Sequence, residues 1–143
     1  MKNLSQTVPC AGLHVRKAGR QLSQMYDQYL RPAGIRSTQY SMLRCVAELH
    51  EPFISDIGRV LGMDQTTATR NIEKLEMAGL VETRQHPDDP RKKIVELSVV
   101  GKAKLEECHP LWEEAQKFIL TRMGKEDFAH LLRLLEKVAG AAK

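Results

Sequence analysis

The chain has 143 residues, 42% of them hydrophobic and 28% charged, with 9 Gly and 6 Pro. That composition supports one buried core and excludes a disordered tail protein, and a chain below about 200 residues leaves no room for a large catalytic barrel. Lys and Arg total 22 against 18 Asp and Glu, a net charge of +4, which biases the chain mildly toward polyanionic partners. The opening MKNLSQTVPC has no apolar run before a small-residue cleavage site, and no stretch of about 18 uninterrupted apolar residues occurs. A soluble cytoplasmic protein without membrane contact is expected. Cys10, Cys45 and Cys108 are odd in number and widely spaced, which fits reduced thiols better than a disulfide framework or a CxxC metal site.

Residues 11–30 carry Ala18, Leu22, Met25, Tyr26 and Tyr29 at the spacing of a helix with one buried face. Arg31-Pro32-Ala33-Gly34 breaks it. A second helix is expected from Ser37 or Thr38, whose hydroxyl can cap an unpaired N–H, to about His50, where Glu51-Pro52 ends it. Residues 53–61 read as a short helix with Ile54, Ile57, Val60 and Leu61 inward, closed by Gly62 as a left-handed cap. Asp64 is the next N-cap, and Ala68, Ile72 and Leu75 form the inner stripe of a helix that stops at Ala78-Gly79.

The hydrophobic period then changes from 3.6 to 2. Residues 80–84 and 93–97 are strand-like runs joined by residues 85–92, a loop rich in Pro and Asp that should project into solvent. From about Val99 a long helix returns, with Cys108, Leu111, Trp112, Ala115, Phe118 and Ile119 on one face and Pro110 expected to bend it. Gly124 separates it from a last helix carrying Phe128, Leu131, Leu132, Leu135 and Val138.

The order helix, turn, helix, hairpin is that of a DNA-reading winged helix-turn-helix. Gln65, Thr66, Thr67, Thr69 and Arg70 crowd small donors and acceptors onto the start of the second helix of the pair. Gln can pair with adenine and Arg with guanine, and Thr methyls can meet thymine methyls. Taken alone, the same stretch also describes an ordinary solvated helix face. Arg91, Lys92 and Lys93 follow Asp88 and Asp89 on the hairpin, where cations can track phosphates or enter a narrow minor groove; a charge run also serves simply to protect a sheet edge.

Here the sequence resembles the MarR family of bacterial transcription regulators. The stretch ISDIGRVLGMDQTTATRNIEKLEMAGLVETR is similar to the family's helix-turn-helix and recognition helix, and HPDDPRKKIVELSVVG to its wing and the following helix start. The Asp-x-Arg wing motif stands at Asp89-Pro90-Arg91. The resemblance implies that Asp89 holds the loop and that Arg91 reaches the minor groove. His86, Pro90 and Ser98 depart from the residues the family often keeps there, namely Asp, Arg and Thr. The resemblance also implies a mainly α winged helix-turn-helix: a single domain over residues 1–143, with residues 37–98 as the reading unit and residues 1–36 and 99–143 as dimerisation helices.

Residues 53–97 hold seven Lys or Arg against eight Asp or Glu, whereas residues 1–50 hold seven against two. Affinity for double-stranded DNA then depends on the placement of Arg70, Lys74, Arg84 and Arg91 to Lys93, on helix N-termini at Ser37 and Asp64, and on two copies acting together. A homodimer is expected independently, because Leu131, Leu132, Leu134 and Leu135 cover more than one side of a helix. Two-fold symmetry implies a palindromic operator. The family resemblance implies a ligand pocket between the dimer helices and the reading unit. A small anionic aromatic effector could pair there with Arg16, Arg20 or Arg44, near His14, and stack on Tyr40; the blander reading is that these cations bind phosphate or solvate the dimer surface.

Cys10 lies about two residues from the place where hydroperoxide-sensing family members keep a reactive Cys, so thiol oxidation is an alternative input. No enzyme, cofactor or metal is expected: Cys108 and His109 point about 100° apart on a helix, and His86 and Asp88 lack further ligands. The reading is a ligand-responsive repressor. Its competitor is a dimeric protein-interaction module with only non-specific DNA affinity.

Overall fold

The computed structural model describes residues 9–143. It contains α1 (Ala11–Leu30), a 3-10 turn (Arg31–Ala33), α2 (Ser37–Leu49), α3 (Ile54–Leu61) and α4 (Gln65–Met77). The antiparallel strands β1 (Val81–Gln85) and β2 (Lys93–Leu97) come next, followed by α5 (Val99–Met123) and α6 (Lys125–Ala141). This is the mainly helical winged helix-turn-helix with a two-stranded wing that the hydrophobic periods imply.

Leu43 of α2, Ile57 of α3, Ile72 and Leu75 of α4, and Val81 and Val95 of the wing base are fully buried together, with Leu30 and Cys108 closing the core from α1 and α5. Each such aliphatic side chain contributes about 1.5–3 kcal/mol by leaving water. The inner stripe of α4 is thereby committed to the core, and its polar face is left outward.

Three local expectations are corrected. Helix α2 starts at Ser37 as expected, but no hydroxyl caps it: the residue before it is Arg36, the Ser37 N–H donates to Asp27 Oδ1 of α1 at 2.7 Å, and the Arg36 N–H donates to Gln39 Oε1 at 3.0 Å. Side-chain acceptors of Asp27 and Gln39, not a hydroxyl, serve the donors at this helix start. Val60 is 59% exposed; at 100° per residue it lies about 110° from the centre of the Ile54, Ile57, Gly58 and Leu61 stripe. The position facing inward is instead Gly58, where a Cβ would come within 3.0 Å of the Met63 carbonyl oxygen and 3.4 Å of Ala68. Leu80 does not join the ladder, because its N–H donates to the Leu75 carbonyl at 3.0 Å and its carbonyl accepts from Ser98 N–H at 3.1 Å.

The last contact anchors α5. Ser98 caps it, accepting from Gly101 N–H at 2.9 Å, while its own hydroxyl donates to the Gly79 carbonyl at 2.5 Å. Helix α5 continues as one element through Pro110. Helix α6 buries none of its residues; Leu132, Leu134, Leu135 and Val138 are all exposed.

Candidate nucleic-acid interface and adjoining aromatic cleft

The start of α4 is built by local hydrogen bonds. Asp64 Oδ1 accepts from Thr67 N–H at 2.7 Å, which satisfies a helix-end donor and holds the Asp64 carboxyl below its usual range. Gln65 Nε2 reaches Thr69 Oγ1 at 3.4 Å, and Asn71 Nδ2 donates to the Thr67 carbonyl at 2.9 Å. Gln65, Thr66, Thr67, Arg70 and Lys74 are exposed on the outer face, Thr69 is half-buried, and Ala68 and Ile72 point inward.

The wing carries its own order. Asp89 Oδ1 accepts from Arg91 N–H at 3.1 Å and the Asp89 carbonyl from Lys92 N–H at 3.0 Å, so Asp89 folds the tip around itself. The Arg91 side chain stands 93% exposed, with Nε 3.6 Å from Asp89 Oδ1. At the neck, His86 N–H donates to the Lys92 carbonyl at 2.9 Å. Thr83 donates through both its N–H and its hydroxyl to Glu76 Oε2, tying β1 to the end of α4. One cleft is bounded by Gln65 and Thr69 from α4, by Arg91, Lys92 and Lys93 from the wing, and by Phe53. Two reading elements separated by more than twenty residues thus share one surface.

Arg84 belongs to a different arrangement. Its guanidinium lies 3.0 Å from Glu96 and 3.4 Å from Glu51. The hydrogen bond from Arg84 holds the Glu96 carboxyl below its usual range, and the Glu96 carboxylate in turn raises Arg84. Arg84 braces the two strands and the turn before α3. Ser37, with its N–H already taken by Asp27, lines the cleft beside Tyr40 rather than the α4 surface.

Between α2 and α5 lies an aromatic cluster. Tyr40 stacks on Trp112 at 5.9 Å, His109 stacks on the same indole at 6.0 Å, and the Arg44 guanidinium sits 4.6 Å from its centroid. The Tyr40 hydroxyl is 3.3 Å from His109 Nδ1, and His109 Nε2 is 3.2 Å from Glu113. Burial pushes the Tyr40 hydroxyl up and Arg44 pulls it part of the way back. A cleft of about 380 Å³ opens onto Tyr40, Arg44, Leu105 and His109. A larger, mostly apolar one of about 710 Å³ runs from Tyr40 and Trp112 along Leu22 and Met25 to Leu131 and Leu135.

A family model described as the MarR family matches residues 35–93. The M. tuberculosis transcriptional regulator MosR, solved in complex with DNA, superposes with a TM-score of 0.85 at 34% identity, covering 93% of this chain and 96% of MosR. The chain belongs to the MarR family. The multiple antibiotic resistance protein MarR of Escherichia coli is 27% identical over 138 residues, 94% of this chain and 93% of that protein. The HTH-type transcriptional regulator YwoH of Bacillus subtilis is 29% identical over 123 residues, 84% of this chain and 89% of YwoH.

In this MarR family chain the matched residues run from the turn before α2 to the start of β2, and include the whole α4 surface and the wing loop. Of the residues singled out for an effector, Tyr40 and Arg44 meet in one cleft. Arg16 and Arg20 lie about 160° around α1 from Ala18, away from the side that lines the larger cleft. His14 Nδ1 is 2.8 Å from the Cys10 carbonyl, in the first turn of α1. Cys10 is exposed, whereas burial pushes the Cys45 and Cys108 thiols up. Sequence reasoning did not place Phe53, His109 or Trp112 in these clefts. The spacing of His109 and Trp112, one helical turn apart, was the available signal. Among the described residues no group of three or more His, Cys, Asp or Glu is placed to hold a metal ion, and no helix is long and apolar enough to cross a membrane.

Proposed function

We propose that this protein is a DNA-binding transcription regulator, a repressor that grips a palindromic operator as a homodimer and lets go when a small anionic aromatic effector binds. The observation that carries the reading is the shared cleft between the polar face of α4 and the wing cations. It offers major-groove chemistry and a cationic arm on one side of the molecule. Gln65, Thr66, Thr67, Thr69 and Arg70 face bases, Lys74 and Lys93 face phosphates, and Arg91 enters the minor groove from a tip that Asp89 holds. MosR, a relative at 34% identity, was solved in complex with DNA, which supports DNA binding as the activity of this fold.

Homodimerisation through α1, α5 and α6 follows from the exposed leucines of α6, which a single copy leaves in water. The effector sits over Trp112, its ring on His109 and its carboxylate on Arg44; Tyr40, 2% exposed and stacked on the indole, backs the site and does not itself stack on the ligand as the sequence reading expected. Oxidation of Cys10, the exposed thiol, is the competing input. The test is fluorescence anisotropy of reduced protein on duplexes from upstream of its own gene, titrated at several salt concentrations. Tight binding to one duplex, far above a scrambled control, supports the regulator. Weak binding to all of them, erased by salt, turns the assignment to a protein-interaction module.

A further inference from the structure

Phe53 stands between the two reading elements, and its backbone is bonded on both sides. It is extended, with φ −74° and ψ 157°, immediately before α3. Its N–H donates to Asp56 Oδ2 at 3.0 Å, and its carbonyl accepts from Asp56 N–H at 3.0 Å and Ile57 N–H at 3.3 Å. It also bridges to Ile94 of β2, next to the bond from Val95 N–H to the Pro52 carbonyl at 2.9 Å. The backbone at Phe53 is therefore fixed to both α3 and the wing base.

The ring extends this attachment outward. His86 meets its edge at 5.4 Å with the planes at 67°, and the Lys92 ammonium lies 5.1 Å from its centroid. These two residues face each other across the wing neck, joined by the bond from His86 N–H to the Lys92 carbonyl. His86 Nδ1 further accepts from Asp88 N–H at 3.2 Å. Arg91 lies beyond that neck, and Gln65 and Thr69 line the other side of the same cleft. One aromatic ring thus holds the wing where it leaves the body and borders the surface of α4.

We infer that Phe53 is a positioning residue that clasps the wing through His86 and Lys92 and so sets the separation between Arg91 and the α4 reading face. The inference rests on the DNA-binding reading above and deepens it. Lys92 then serves the clasp, and Arg91 and Lys93 are left as the wing cations that meet DNA. The clasp matters in this chain because residues 53–97 carry seven Lys or Arg against eight Asp or Glu. With so few cations, a wing that wanders forfeits a large share of the phosphate and minor-groove contacts.

The experiment measures affinity and salt slope on the duplex that the parent selects, for Phe53→Leu, Phe53→Trp and His86→Ala, each with and without Arg91→Ala. Phe53→Leu keeps an apolar side chain and the backbone bridge but removes the ring. The expected result is an affinity about tenfold lower, with the salt slope reduced by about one. Arg91→Ala should then cost little more, because its contact is already lost, and Phe53→Trp should restore both readings. His86→Ala opens the clasp from the wing without touching the start of α3, so it gives the same answer should Phe53→Leu not fold. A parental salt slope in both variants, with Arg91→Ala costing as much in them as in the parent, overturns the inference. A parent that selects no duplex overturns the DNA-binding reading instead, before any variant is made.

Discussion

The Arg44 guanidinium rests 4.6 Å from the centroid of the Trp112 ring, joining α2 of the winged unit to α5. Arg44 also donates to Glu48 at 2.7 Å, so the cation is held from its own helix as well. In the proposed complex a carboxylate entering the cleft would compete with Glu48 for Arg44, and a ring attached to it would meet His109. Trp112 is the single tryptophan of the chain and reports the event directly. Aromatic carboxylates such as benzoate should quench its emission, and Arg44→Gln should weaken that binding about tenfold or more, the loss of one charge-assisted hydrogen bond. Fluorescence titration of both proteins checks it; equal quenching would remove Arg44 from the site.

Arg70 projects from the exposed face of α4, one turn beyond Thr66. In the proposed DNA complex a guanidinium there would meet guanine O6 and N7 in a bidentate pair. Arg70→Ala should cost about 1–3 kcal/mol of operator affinity and relax the preference at one base pair per half-site. Anisotropy on a duplex set varied one position at a time reads both quantities. Unchanged affinity for every duplex would take Arg70 out of base recognition.

The elements that packing determines were legible in the sequence. The stripes of α2 and α4, the Gly62 turn and the change of period at the wing rest on residues whose burial depends on their own helix or strand. What stayed hidden needs a second element. Asp27, ten residues away, accepts from the Ser37 N–H. Gly58 faces Met63 and Ala68 across the turn. Arg84, a free cation in the sequence, is committed to Glu51 and Glu96. Tyr40 and Arg44 could be picked out as aromatic and cationic neighbours, but their meeting with Trp112 depends on how α5 lies across α2. Arg16 and Arg20 share composition with that site and not geometry.

Gly101 marks where α5 touches the turn between α4 and β1. A Cβ built there would stand 1.8 Å from the Leu80 carbonyl oxygen, and that oxygen already accepts from Ser98 N–H. Relief requires moving backbone, not a flexible side chain. Gly101→Ala should destabilise the fold by about 1–3 kcal/mol or more, read as a lower midpoint in urea denaturation, while Gly140→Ala, with open space around it, should leave the midpoint in place or raise it slightly.

The Asp64 cap gives the stability a pH dependence of known sign. Its carboxylate accepts from Thr67 N–H, and its pKa falls below the ordinary 3.8. Folding favours the ionised form, so the contribution is fully present above the unfolded value and is lost as pH falls through the lower folded value. Thermal melts of the parent and Asp64→Ala should differ at neutral pH, with the parent higher, and the gap should close in strong acid. A gap that persists unchanged below the folded value would mean that Asp64 acts through something other than its charge.

Helix α6 sets the last expectation. Leu132, Leu134, Leu135 and Val138 are 49%, 43%, 37% and 44% exposed, and no residue of the helix is buried. Leu132 and Leu135 continue the apolar cleft that α1 supplies through Leu22 and Met25. In the proposed homodimer a second copy would cover both surfaces at once, since two-fold symmetry brings the same patch to itself. The parent should sediment at twice the 16.2 kDa of the chain. Leu135→Asp should shift it to the monomer without loss of helical circular dichroism, because the side chain contributes to no intrachain core, and operator affinity should fall steeply as the two half-sites are no longer held together. A parent that already sediments as a monomer at micromolar concentration would sink the dimer, and with it the palindromic operator.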